Sequence, residues 1–172
     1  GLNEFAIRLP VVIFGSGTVL FVYFITYEFF RKDKFANPLS LLTAFLIGIS
    51  PWHILLSRAG FEATIALFFV VLGLYLSLLG RRYPKVLAIA FIPYALAMYT
   101  FNSARYFVPL LLVAVTVFLW ADLKKNRGQS ILGGIIALIV LMPMMPHLIS
   151  PQARLRFREV NIFSDITIIQ RT

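Results

Sequence analysis

The amino-acid sequence predicts an all-α fold, a bundle of helices that crosses a membrane several times. Of the 172 residues, 60% are hydrophobic and only 13% are charged, a composition unlike that of water-soluble globular proteins. Short polar clusters separate apolar runs of roughly 15 to 20 residues, and a helix needs about 20 residues to cross a bilayer core. Because strands with open edges would leave backbone groups unpaired in lipid, these runs are predicted to be helices.

About six apolar segments are predicted to form membrane helices. Pro51 breaks the second segment, Pro93 lies inside the fourth, and Pro143 and Pro146 lie near the end of the sixth. Membrane helices tolerate such prolines where neighbouring helices or water pair with the freed backbone groups. The predicted segments cover residues 9–27, 39–56, 63–79, 86–99, 107–121 and 131–148.

The basic residues predict which loops face the cytoplasm. Nine lysines and arginines fall in three turns, at residues 31–34, 81–85 and 122–128, whereas the alternate loops hold only Arg58 and Arg105. Since lysine and arginine are enriched in cytoplasmic loops, these three turns are predicted to be cytoplasmic. The 50–62 and 99–106 loops are then extracytoplasmic.

This topology divides the chain into two predicted regions. Residues 1–150 form a transmembrane helical region, part of a larger membrane domain, and residues 151–172 form an extracytoplasmic tail or the start of a longer outer loop. The sequence begins at Gly1 without the charged region and cleavage site of a signal peptide. We therefore expect an internal piece of a longer protein.

Charge distribution and cysteine content exclude several functional classes. The formal net charge is +9, but the basic residues lie at the ends of apolar runs and form no continuous basic, aromatic-rich surface for nucleic acid. Membrane lipids with anionic headgroups are the predicted partners instead. The absence of cysteine excludes disulfides, cysteine–zinc sites and thiol nucleophiles. Two histidines, His53 and His147, are too few for a protein metal site, so no cofactor is predicted and a divalent-metal requirement is left open.

The stretch SPWHILLSRAGFEA, residues 50–63, places charges between two apolar runs. Ser50 followed by Pro51 is typical of a helix start, and Gly60 in a left-handed conformation would end that short helix. Arg58 then lies in the last turn of one helix and Glu62 in the first turn of the next, where the helix dipoles favour them. The sequence allows Pro51 either to kink one helix or to start a second.

Polar groups on the predicted outer side support a second, functional interpretation of these charges. A guanidinium offers a flat fork of donors that matches phosphate oxygens, and ionisable groups near membrane depth are functional candidates. For each arginine alone, extension of the side chain towards lipid headgroups is the alternative. We predict a site for a lipid-borne phosphate, with Arg8 just before the first helix. Its candidate residues are Arg8, His53, Arg58, Glu62, Tyr99, Asn102 and Arg105.

Three segments resemble bacterial membrane glycosyltransferases of family 39: RLPVVIFG (8–15), SPWHILLSRAGFEATIALFF (50–69) and YTFNSARYFVPLL (99–111). That group is related to protein O-mannosyltransferases and lipid A aminoarabinose transferases, within the C-type superfamily. The resemblance implies a C-type glycosyltransferase-like fold in the bacterial inner membrane. It also implies transfer of a sugar from a polyprenyl-phosphate donor to a protein, lipid or glycan acceptor on the extracytoplasmic face.

The resemblance further implies where the chemistry lies. An acidic residue in the first outer loop of such enzymes is expected to be the general base, and this sequence resembles the part of the family that comes after that loop. That acidic residue is therefore expected upstream of Gly1, and this piece is expected to be inactive alone. Arg58 and Arg105 would hold the donor phosphate, and Glu62 would fix Arg58 or contact sugar. His53, Tyr99 and Asn102 would position substrate.

The sequence also allows two other functions. A transporter or flippase of a lipid-linked anion would also use outward arginines, but it needs polar groups along a path across the membrane. The apolar segments of this sequence offer few such groups. A non-catalytic membrane scaffold subunit is the second alternative.

Overall fold

A computed structural model describes the backbone of residues 4–58 and 60–144 and the side chains of residues 8–58 and 60–144. Within these residues all regular structure is helical, which confirms the predicted all-α class. Short 3-10 turns at Pro84–Val86 and Met142–Met144 accompany the α-helices. The α-helices are α1 Glu4–Phe30, α2 Ala36–Gly48, α3 Pro51–Arg58, α4 Glu62–Leu79, α5 Leu87–Ala90, α6 Ile92–Thr100, α7 Ala104–Phe118, α8 Trp120–Lys125 and α9 Arg127–Leu141.

The chain divides into two compact units, residues 1–140 and 141–172. The first unit holds α1 to α8 and almost all of α9. In the second unit, the described residues 141–144 form the last residue of α9 and a 3-10 turn. The predicted region boundary at residue 150 and the predicted tail lie outside the described residues.

In the part of the chain that the structure describes, three helical stretches are long and apolar enough to cross a membrane: Arg8–Phe30, Glu62–Leu79 and Arg127–Met144. A fourth span results if α2 and α3, which are bent by 56° relative to each other, together make one crossing. Two further apolar stretches, Pro84–Thr100 and Ala104–Phe118, are shorter. The length and apolar character of these helices indicate a membrane protein. The predicted total of six membrane crossings stays a prediction.

The 50–63 stretch contains the short helix α3 and the first residues of α4. Pro51 begins α3, which resolves the alternative that the sequence left open in favour of a second helix. Gly60 adopts the predicted left-handed conformation, with φ of 77°. Arg58 lies in the last turn of α3 and Glu62 in the first turn of α4, as predicted.

The first helix begins earlier than predicted. It starts at Glu4 and continues through Pro10, so Arg8 lies inside α1 and not before it. A proline removes one backbone donor and disturbs the turn that precedes it. Apolar residues on both sides of Pro10 continue the helix, and the stretch of α1 that is apolar enough to cross a membrane, Arg8–Phe30, begins within one residue of the predicted start of the first segment.

Helix α4 packs against α1 on one side and against α6 on another. Aromatic rings fill the contact with α1, where the ring centroids of Phe14 and Phe68 lie 5.0 Å apart. On the α6 side the Tyr94 ring is buried against Gly73, where an added Cβ would come within 2.8 Å of the ring. The largest cluster of buried core residues comprises Ala66, Val70, Tyr94, Ala97, Ala104 and Val108.

The three basic turns lie at one end of the first unit. Arg81 Nε donates to Asp122 Oδ2 across 3.1 Å, which connects the second basic turn with the third. Residues of the first and second turns line one cavity, so these two turns also lie near each other. The lining comprises residues 28–33, Leu78 and Arg81. The structure thus supports a common face for these turns, and its assignment to the cytoplasm stays a prediction.

Candidate functional site

A cavity of about 500 Å³ opens beside the break between α2 and α3. It combines two arginines with apolar walls. Arg8 comes from α1 and Arg58 from the last turn of α3. The lining residues are Arg8, Ile49, Pro51, Ile54, Leu55 and Arg58.

The bend at Ser50 explains how these residues come together. Because α3 starts at Pro51 and departs from α2 by 56°, its cavity-facing side forms a wall next to Ile49. Pro51, Leu55 and Arg58 follow each other at helical spacings of four and three residues, which places them on one face of α3. Arg58 is exposed at the end of this face.

A different face of α3 is attached to α1. The His53 Nε2 donates to the Gly15 carbonyl oxygen across 3.1 Å, since a carbonyl oxygen can only accept. Ser57, one turn further along, lies against the same glycine, and a Cβ added to Gly15 would come within 2.9 Å of the Ser57 Cβ. His53 therefore fastens α3, and it is not among the residues that line the cavity.

Helix α4 reaches the same glycine through Thr64. The Thr64 Cγ2 would lie 3.6 Å from a Cβ on Gly15, and the side chain is buried, with the residue 2% exposed. Its Oγ1 has no hydrogen-bond partner in the part of the chain that the structure describes. A buried hydroxyl without a partner is costly. Residue type alone did not indicate Thr64, because threonine is unremarkable in an apolar helix.

The predicted residues of the 99–106 loop have other partners. Arg105 Nε donates to the Met98 carbonyl oxygen across 3.3 Å, and Tyr99 donates its hydroxyl to the Val140 carbonyl oxygen across 2.6 Å. Asn102 is exposed in the turn between α6 and α7. Arg105 does not line the cavity, so the structure brings together Arg8 and Arg58 but not the third predicted arginine.

Glu62 is exposed in the first turn of α4. Glu62 and Arg58, whose side chains are both described, form no ion pair with each other within 4.0 Å. Of the two predicted roles of Glu62, fixing Arg58 is thus absent from this conformation. Contact with a ligand remains as its predicted role.

Metal-binding side chains do not gather around this cavity. Over the described side chains, those of residues 8–58 and 60–144, no three His, Cys, Asp or Glu groups lie close enough to hold a metal ion. The chemistry that the described cavity offers is binding of an anion by guanidinium groups next to an apolar surface.

Comparison with known proteins gives no relative: no protein-family model, no curated protein and no solved structure matches the chain.

Proposed function

We propose that the chain is part of an integral-membrane glycosyltransferase of the family 39 type. It would take a sugar from a polyprenyl-phosphate donor and pass it to a protein, lipid or glycan acceptor on the extracytoplasmic face of a bacterial inner membrane. The observation that carries this proposal is the cavity that combines Arg8 and Arg58 with apolar walls. It is supported by the likeness of residues 8–15 and 50–69, which hold both arginines, to that family.

The cavity suits a ligand with a charged head and an apolar tail. Guanidinium groups bind phosphate oxygens in a fixed fork and stay charged at all physiological pH values. Ile49, Ile54 and Leu55 give the cavity an apolar wall, and these three residues are 40% to 56% exposed, so a prenyl chain could lie against them. A lipid-borne phosphate entering from the membrane matches both surfaces.

Sugar transfer needs two contributions from the protein. Negative charge develops on the leaving phosphate, and preorganised donors lower the barrier by stabilising it; we assign this role to Arg8 and Arg58. The acceptor hydroxyl also needs a general base. No carboxylate lines the cavity within the described residues, and we assign the base to a residue upstream of Gly1.

The remaining candidate residues receive roles away from the phosphate. Arg105, Tyr99 and Asn102 lie at the connection of α6 and α7, where two of them bond backbone carbonyls. We propose that these three residues maintain the conformation of the outer surface to which the acceptor binds. His53 holds α3 in place through its hydrogen bond to the Gly15 carbonyl oxygen. We assign Glu62 to contact with a sugar hydroxyl.

Six membrane crossings belong to this proposal. The bent pair of α2 and α3, together with the shorter stretches Pro84–Thr100 and Ala104–Phe118, would add three crossings to the three long helices. A short span is accommodated by local thinning of the bilayer at modest cost. The three basic turns then face the cytoplasm, and the Arg8 and Arg58 cavity faces outward.

Ligand binding by the full polypeptide that its gene encodes tests this proposal. The protein is placed in nanodiscs, and binding of a polyprenyl monophosphate is compared with binding of the uncharged polyprenol of the same length. We expect Arg58→Gln to reduce phosphate binding about ten-fold, a loss of one charge-assisted contact, while polyprenol binding stays unchanged. Arg82→Gln, an exposed arginine at the opposite end of the unit, is the matched control.

Sugar transfer from the glycosylated donor is measured on the same preparations. Wild-type binding and transfer in folded Arg58→Gln protein would overturn the assignment. Movement of the polyprenyl phosphate across sealed vesicles without any sugar transfer would instead favour the transporter alternative.

A further inference from the structure

A second cavity, of about 480 Å³, lies at the end of the first unit that carries the basic turns. It is formed where α1 and α4 end, and it is separate from the Arg8 and Arg58 cavity. Its lining residues are Glu28, Phe29, Phe30, Arg31, Lys32, Asp33, Leu78 and Arg81.

This cavity contains charges of both signs. Arg31 lies 3.5 Å from Glu28, and Arg81 lies 3.1 Å from Asp122, which is outside the lining. Neither Lys32 nor Asp33 forms an ion pair within the described ranges. One ammonium and one carboxylate, adjacent in sequence and both exposed, are therefore available to a ligand.

The backbone around the cavity disfavours a simple anion. Helices α1 and α4 both end here, at Phe30 and Leu79, and helix C-terminal ends carry partial negative charge that favours cations. The carboxylates of Glu28 and Asp33 add to this effect. A ligand with phosphate alone would meet Lys32 and Arg81 but also this negative surface, whereas a ligand that adds an ammonium group would match both.

We propose that this cavity binds the headgroup of an aminophospholipid, which joins a phosphate to a primary ammonium group. Lys32 and Arg81 contact the phosphate, and Asp33 accepts hydrogen bonds from the ammonium. Phe29 and Phe30 are 52% and 44% exposed beside the cavity, where acyl chains pack on them. The site is independent of the proposed transferase function.

Headgroup competition in nanodiscs tests the proposal. The full chain is placed in nanodiscs of phosphatidylcholine that contain equal amounts of phosphatidylethanolamine and phosphatidylglycerol. The protein is then released from the nanodiscs, and native mass spectrometry counts the lipids that remain bound to it. We expect phosphatidylethanolamine to be retained about three-fold over both others, the scale of one exposed charge pair. Phosphatidylglycerol lacks the cation, and the quaternary ammonium of phosphatidylcholine has no N–H for Asp33.

Two substitutions separate the contacts. Asp33→Asn removes the preference for phosphatidylethanolamine over phosphatidylglycerol, and Lys32→Gln lowers retention of every phosphate-bearing lipid. Lys125→Gln, exposed at the same end but outside the lining, leaves the pattern unchanged. All three positions are exposed, so the variants keep the buried core.

Three results would overturn the proposal. Equal retention of the three lipids would show a surface without headgroup preference. A preference for phosphatidylglycerol that survives Asp33→Asn would show an anion site. An effect of Lys125→Gln equal to that of Lys32→Gln would assign the retention to general charge at this end and not to the cavity.

Discussion

The His53 Nε2 lies 3.1 Å from the Gly15 carbonyl oxygen, and this hydrogen bond fastens the short helix α3 to α1. Helix α3 has no buried residue and joins α2 through a 56° bend, so it depends on such contacts for its position. Arg58 lies at the end of the same helix and lines the first cavity. The contact therefore makes His53 a positioning residue for Arg58.

Replacing His53 by alanine is expected to lower the stability of the chain by about 1 kcal/mol, the net value of one hydrogen bond. It should also weaken polyprenyl phosphate binding, because α3 and with it Arg58 become more mobile. His53→Gln keeps a side-chain donor and should recover part of both losses. Thermal unfolding in detergent and phosphate-lipid binding measure the two effects. Lost binding in a Gln variant of wild-type stability would show that His53 contacts the ligand directly.

Gly15 on α1 lies against both α3 and α4. Gly15→Ala is expected to push these helices apart and to lower the free energy of unfolding. Its Cβ would lie 2.9 Å from the Ser57 Cβ, and overpacking of this kind costs about 1–3 kcal/mol. Gly134→Ala is the matched control, because a Cβ on this helical glycine meets nothing within 4 Å. That change should be neutral or stabilise by about 0.5–1 kcal/mol.

A double variant shows whether the Ser57 contact is the cause. Ser57→Gly removes the Cβ that Gly15→Ala would meet, so the two changes together should cost less than the sum of their separate effects. Unfolding midpoints of the four proteins give the coupling free energy. Strict additivity would mean that α1 and α3 do not approach each other closely at this position.

Local rules predicted the ends of α3 and α4 well. Pro51, Arg58, Gly60 and Glu62 each occupy the helix-end position that their residue type favours, because proline ring geometry, glycine φ freedom and the helix dipole act within one turn. Such effects need no knowledge of which helices are neighbours.

The partners of the polar side chains could not be predicted in the same way. His53, Tyr99 and Arg105 bond the backbone carbonyls of Gly15, Val140 and Met98. Every residue carries a carbonyl group, so residue types do not show which one a side chain will reach. The burial of Thr64 likewise follows from the packing of α4 at Gly15, which depends on the tertiary arrangement.

Removal of the Thr64 hydroxyl is expected to stabilise the chain or leave its stability unchanged. The Thr64 Oγ1 is buried without a partner among the described residues, and valine has nearly the same shape without the cost of about 1–3 kcal/mol for an unsatisfied polar group. Thr18→Val is the matched control, because the Thr18 Oγ1 donates to the Phe14 carbonyl oxygen across 2.9 Å and the residue is equally buried. If Thr64→Val destabilises as much as Thr18→Val, the hydroxyl of Thr64 has a partner in the folded protein.

Residues 1–172 contain no cysteine, which permits a direct test of membrane orientation. A single cysteine introduced among them, in a full polypeptide whose cysteines elsewhere are replaced by serine, is the only thiol of the protein. Trp52 is 74% exposed on α3, and Lys125 is exposed in a basic turn. If basic turns face the cytoplasm, a membrane-impermeant maleimide should label Trp52→Cys in intact cells and Lys125→Cys only after the membrane is opened. Labelling of both variants after opening serves as the control for access. The reverse pattern would place the Arg8 and Arg58 cavity on the cytoplasmic side, where an extracytoplasmic sugar transfer could not occur.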